Sequence, residues 1–184
     1  MPDFWDSRID ALIGREGAYS NNPNDAGGET MWGITVAEAR ANGYTGPMAA
    51  MPRSTAATIY LRKYVIKPGF DKVSAISPKV ADELFDTGVN MGVDTASKFF
   101  QRALNVLNGQ ARDYPDIQVD GAIGAGTIAA FGALLKKRGL LGETVMLRAL
   151  NCLQGARYIE LAEGRSGNED FEFGWLANRV GIPA

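Results

Sequence analysis

Apolar residues recur along this chain in the three- and four-residue steps of an α-helix, and short polar runs rich in glycine, asparagine and proline break the pattern. Over residues 4–16, Trp5, Ile9, Leu12 and Ile13 fall on one helical face, and Gly17 follows as a stop. Residues 18–33 turn to Asn, Pro, Asp and Gly, types that supply turns and left-handed backbone, so a long loop with at most a short hairpin in the 18–34 region is expected. Next the spacing predicts a short helix capped by Thr35 and ending near Gly43. A second, capped by Ser54, should run through Ile59, Tyr60 and Tyr64 towards Pro68. Ser77-Pro78 pairs a capping side chain with a proline at the first helical position, with Ala81, Leu84, Phe85 and Gly88 as the inner stripe and Gly92 as the end.

Asp94 is expected to cap the following helix, in which Phe99, Ala103, Leu104 and Leu107 lead to Gly109. After Asp120-Gly121-Ala122-Ile123-Gly124, a helix carrying Ile128, Phe131 and Leu135 should close on Lys136, Lys137 and Arg138, where cations suit the negative end of the helix dipole, before Gly139. The longest helix is predicted from Glu143 to about Glu163. Its stripe of Val145, Ala149, Cys152, Ala156 and Ile159 would make Cys152 a small core residue, and a last helix would hold Phe171, Trp175 and Val180. The fold class expected is mainly α.

Composition narrows the chemistry. The 184 residues are 46% hydrophobic and 22% charged, as in an ordinary soluble globular protein. A net charge of -2 leaves no basic surplus for a phosphate backbone, so nucleic acid is not an expected partner. No apolar run is long enough for a membrane span. Residues 1–6 carry early acids and no basic segment before an apolar run, so no Sec signal peptide is expected. The chain would be made in the cytoplasm and would need another route to any target beyond the membrane. The lone Cys152 forbids an internal disulfide, and the absence of histidine removes Ser-His-Asp, Cys-His and His-ligated zinc hydrolysis. Carboxylate chemistry remains.

Glu16 follows Ile13, Leu12, Ile9 and Trp5 by three, four, seven and eleven positions, so it extends the apolar stripe. Burial and the negative end of the helix dipole would both raise its pKa, giving the protonated acid that a glycosidase uses on a leaving oxygen. The plainer reading is a glutamate that snorkels at a frayed helix end or pairs with Arg15 or Arg8. Asp25 lies among asparagines and glycines that would keep it ionised, as a second carboxylate or simply as an Asx-turn residue. The loop lacks EF-hand spacing, so neither a metal nor a cofactor is expected. Thr30 and Trp32 offer a hydroxyl and an aromatic platform, although Trp32 could equally be core. Asp82, Glu83, Asp86 and Asn90 give the Ser77 helix a polar side, by default a solvated one, with Asp86 or Asn90 available for substrate if that helix lines a cleft.

The run from Arg15-Glu16-Gly17-Ala18-Tyr19 through Asn24-Asp25-Ala26-Gly27-Gly28-Glu29-Thr30 to Trp32-Gly33-Ile34-Thr35 resembles the signature of glycoside hydrolase family 108. That family comprises N-acetylmuramidases found as phage endolysins and as prophage-derived or secretion-associated lysozymes. Its pattern reads E-G-G-Y, N-D-P-G-G-E-T, then an aromatic and G-I-T; here Ala18 replaces the second glycine and Ala26 the proline, neither a reacting group. The resemblance implies a lysozyme-like α+β fold, Glu16 as general acid, Asp25 as second carboxylate and Thr30 as a water-positioning hydroxyl. Thr30 comes one residue earlier than in phage-type lysozymes. Tyr19, Trp32, Asp86 and Asn90 are the candidate substrate contacts.

Phe85 to Gly92, Gln101 to Asn105, and Asp120 to Gly124 with Thr127 resemble the predicted peptidoglycan domain that commonly follows this module. The organisation expected is a catalytic region over 1–92 and a helical peptidoglycan domain over 93–184, packed as one bilobed globule. The partner implied is bacterial peptidoglycan, acted on by a monomer in the periplasm or wall after a holin or secretion machinery gives passage. Two other readings stay open: a lytic transglycosylase cutting the same bond without adding water, and a peptidoglycan-binding protein without turnover.

Overall fold

The computed structural model describes residues 4–16, 19–21, 28–164, 173–177 and 180–181, with the backbone alone for residues 15 and 16. The chain is mainly α, with one two-stranded antiparallel hairpin among the described residues, and it divides into two compact units, residues 1–66 and 67–184.

In the first unit, helix α1 (Phe4–Glu16) buries Trp5, Ile9, Leu12 and Ile13, the stripe its spacing predicts, and packs against α3 (Arg53–Leu61). Arg53, the first residue of α3, ties the two helices by an ion pair with the Asp10 carboxylate and a 3.1 Å hydrogen bond to the Asp10 carbonyl. Strands β1 (Thr30–Met31) and β2 (Ile34–Thr35) form the hairpin. Helix α2 (Val36–Ala41) follows at once, its first turn capped by Thr35 Oγ1, which accepts from the Glu38 N–H as expected. The cap expected at Ser54 is not formed. Pro52 occupies the N-cap position of α3, and Ser54 sits inside the helix with its carbonyl accepting from the Thr58 hydroxyl. α3 then widens into a π-turn over Arg62–Ile66, just before Pro68, which has no N–H to continue a helical ladder.

The second unit begins with α4 (Phe70–Ser74), then α5 (Pro78–Met91), α6 (Val93–Leu107) and α7 (Ala125–Gly164). Ser77 caps α5 by accepting from Val80 N–H at 3.1 Å. Asp94 does not cap α6: Gly92, at φ 91°, holds that position, and Asp94 lies in the first turn, paired at 2.8 Å with Lys98. Phe100 of α6 and Phe131 of α7 meet edge-on at 5.1 Å in the core. Gly139, at φ 57° and ψ -144°, kinks α7 where the sequence signals a break. Residues 173–177 form a further helical turn, and Trp175 stacks on Tyr158 at 5.1 Å. Phe171 lies outside the described residues.

The stripe expected beyond Glu143 is displaced. The residues buried there are Gly142, Met146, Leu150, Asn151, Gln154, Gly155, Tyr158 and Ala162, while Cys152 and Ile159 are exposed. The true inner face carries the polar Asn151 and Gln154, so a search for apolar letters selects a neighbouring face.

One glycine has a structural reason that a substitution can test. Gly69 has φ 85°, and a Cβ there would stand 3.0 Å from the Ile123 carbonyl oxygen. Gly69→Ala is expected to lower stability by about 1–3 kcal/mol, from the left-handed backbone and the crowding together. The check is a fall in the urea midpoint at unchanged m-value.

Candidate active site

Of the sequence-predicted residues in the first unit, Tyr19, Thr30 and Trp32 lie in or beside the hairpin. Glu16 is the last residue of α1; its side chain, and all of Asp25, lie outside the described residues. Arg8, one candidate partner for Glu16, stands over the Phe4 ring at 5.9 Å. Thr30 is fixed from both sides. It exchanges two backbone hydrogen bonds with Ser20, at 2.9 and 2.8 Å, and pairs across the hairpin with Thr35. The Ser20 bridge also sets the neighbouring Tyr19, 40% exposed, beside β1.

The turn between the strands is Trp32-Gly33, with φ 56° and 75°. Positive φ at both central positions is the mark of a type I′ hairpin turn, which favours Asn-Gly and is costly for a bulky side chain. Trp32 is held there by two long-range contacts. Its indole N–H donates to the Met51 carbonyl at 3.0 Å, and its own carbonyl accepts from the Tyr60 hydroxyl at 3.0 Å. The ring is half-buried, so the choice between platform and core resolves into a ring anchored at its nitrogen with part of its surface open. Tyr60 is a positioning residue that sequence reading missed. It belongs to the apolar face of α3, and nothing in the local pattern shows that its hydroxyl reaches a turn twenty-eight residues earlier. Tyr60→Phe is expected to destabilise the unit by about 1 kcal/mol, the usual net worth of one hydrogen bond, read as a lower melting temperature.

Asp86 and Asn90 lie on α5, in the second unit. The exposed Asn90 turns its amide back to the Asp86 carbonyl at 2.7 Å, and Asp86 Oδ2 accepts from Gln154 of α7 at 3.4 Å. The polar side of α5 is therefore not simply solvated. Glu83 is largely enclosed, and its Oε1 has no hydrogen-bond partner. Burial pushes its carboxyl up to about 7, the nearby Asp86 and Asp82 charges add to the shift, and the Asn151 side chain opposes it.

With this geometry in view, residues 9–92 match the family model Glycosyl hydrolase 108, and residues 95–180 match the Predicted Peptidoglycan domain. The chain is a glycosyl hydrolase 108 region followed by a predicted peptidoglycan domain. No curated protein matches it. A solved structure of Brucella abortus SagA superposes with a TM-score of 0.61 at 24% identity, over 96% of this chain and 88% of that one, a likeness of fold.

The hydrolase match runs on through α5, whereas the compact units part between Ile66 and Lys67. Asp86 and Asn90 thus lie within the hydrolase match but in the second unit, apart in the chain from the hairpin residues. In the peptidoglycan match, the Asp-Gly turn that the sequence singles out is occupied internally. Asp120 accepts from Gln101 at 2.8 Å and from the Ala122 N–H at 2.8 Å, while Gly121 N–H donates to Gln101 Oε1 at 2.8 Å. The hydrogen bonds from Gln101 and Ala122 hold the Asp120 carboxyl below its usual range. These residues staple the loop to α6. The two matches place a glycoside hydrolase family's sequence over residues 9–92 and a peptidoglycan domain's over residues 95–180, which supports peptidoglycan as the partner. Among the described residues, no helix is long and apolar enough to cross a membrane.

Proposed function

We propose that this chain is an endolysin-type N-acetylmuramidase, hydrolysing the β-1,4 bond between N-acetylmuramic acid and N-acetylglucosamine. The observation that carries the reading is the Glu16–Thr30 segment. It holds a carboxylic acid, a second carboxylate and a hydroxyl, all within the stretch that matches the hydrolase family. The buried face of α1 supports it, because in the sequence Glu16 continues the spacing of residues that the helix does bury. So does the hairpin, which gives Thr30 a rigid paired backbone suited to positioning.

In this mechanism the Glu16 carboxyl gives its proton to the glycosidic oxygen as the bond from that oxygen to the anomeric carbon of N-acetylmuramic acid breaks. The Asp25 carboxylate stabilises the positive charge on the sugar, and Thr30 orients the water. Water adds its oxygen to the anomeric carbon and loses a proton to a carboxylate, leaving a new reducing end. Residues 93–184 hold the wall.

Borohydride labelling of digested peptidoglycan tests the bond. The reading expects new ends that reduce to muramitol. Ends that reduce to glucosaminitol would move the cut to the other linkage, and an absence of new reducible ends would leave a lytic transglycosylase, whose 1,6-anhydro ends do not reduce, or a binding protein.

A further inference from the structure

The outer surface at the kink of α7 is apolar where a water-facing helix should be polar. Leu140 is 83% exposed, Leu141 67%, and Val106 at the end of α6 78%. Beside them lies a groove of about 200 Å³ lined by Leu107, Leu134, Leu141, Gly142 and Val145, with Arg138 at its wall. Large apolar side chains left this exposed beside an apolar groove mark an interaction site. The positive φ of Gly139 breaks the helix immediately before the two leucines.

Charge selects the partner. Lys136, Lys137 and Arg138 precede the leucines with only Gly139 between, and Arg112 lies in the loop whose Asp113 pairs with Lys137 and Arg138. The acids nearby offset only part of that charge. Asp113 serves both Lys137 at 3.7 Å and Arg138 at 3.3 Å, and Glu143 accepts from the Ser77 hydroxyl at 2.6 Å. A chain with a net charge of -2 thus concentrates a local cationic surplus around its most exposed leucines. A second copy of the chain is a poor occupant, because a two-fold contact would set these cations against each other. Adjacent leucines at a kink, framed by lysine and arginine, are the pattern of a protein that lies on a bilayer, apolar side chains among the acyl chains and cations at the headgroups.

We propose that the Gly139 kink of α7 is a docking surface for an anionic lipid bilayer. It would hold a wall-cutting enzyme at the boundary between membrane and peptidoglycan, and none of its residues belongs to the Glu16–Thr30 segment.

The test is flotation of the full-length protein with vesicles of phosphatidylglycerol and phosphatidylcholine in equal parts, against pure phosphatidylcholine. Wild type should float with the anionic vesicles and much less with the neutral ones, and added salt should weaken the binding. Leu140→Ser with Leu141→Ser should reduce partitioning by about tenfold or more, and Lys136→Gln with Lys137→Gln by several-fold. Both variants should keep the wild-type melting temperature, which separates lost lipid binding from a lost fold. Leu140→Ser alone, at the more exposed position, preserves the test if the double variant melts early. Equal flotation of wild type and variants, or no flotation with anionic vesicles, overturns the proposal. A wild-type dimer that the leucine variants dissolve, without vesicle binding, also overturns it and gives the face to a second copy.

Discussion

Glu16→Gln is expected to slow peptidoglycan hydrolysis by about 10²–10⁴-fold, the range general acid catalysis typically contributes, while the fold and the affinity for the wall stay near wild type. The amide has the shape of the acid but no proton to give a leaving oxygen. In a chain without histidine, no imidazole stands by to replace it. The change should appear in kcat rather than in the amount of protein that pellets with cell walls. Asp25→Asn is expected to be damaging too, but less so, if its charge stabilises the sugar cation without making a bond. Turbidity loss of wall suspensions, with pelleting as the parallel readout, separates these outcomes. Near-wild-type clearing by Glu16→Gln would remove the acid from the mechanism.

The second large effect belongs to stability. Glu83 titrates at about 7 in the folded chain against an ordinary 4.5, so the native state holds this proton more tightly than the unfolded state. The resulting stabilisation is fully present below about pH 4.5 and is lost as pH rises through about 7. Up to about 3 kcal/mol is at stake across that window. The surroundings explain the sign. Glu83 Oε1 is enclosed without a hydrogen-bond partner, and the one hydrogen bond that favours the charged form, from the Asn151 side chain, is outweighed by burial. Protonation spares Glu83 that cost, because a charge there is desolvated and faces Asp86 and Asp82. Glu83→Gln should therefore match wild type at about pH 4.5 and exceed it at about pH 8.5, a difference read directly from urea unfolding at the two pH values. A constant difference across pH would show that the carboxyl does not titrate in this window.

What the sequence made legible was local. The stripe of α1, the Thr35 cap and the Ser77-Pro78 start each depend on residues within a few positions of one another, and each appears as expected. The misreadings come from contacts between distant parts of the chain. The polar residues of α7 turn inward because α5 offers them Thr87 and Asp86, so the helix buries Gln154 and exposes Cys152, against any ranking by hydrophobicity. For the same reason Glu83 reads as one more charge on a wet face, although burial on α5, against which α7 packs, pushes its carboxyl up to about 7. The candidate site divides likewise. Its motif is continuous in the sequence, but the support for Trp32 comes from Met51 and Tyr60, whose part no spacing announces.

Mass spectrometry of the muropeptides released by wild type, with Glu16→Gln alongside, tests the central claim most directly. The account predicts wild-type products that end in hydrated, reducing N-acetylmuramic acid, and almost none from the variant. Products lighter by one water, ending in 1,6-anhydro sugar, would contradict it and make the enzyme a lytic transglycosylase.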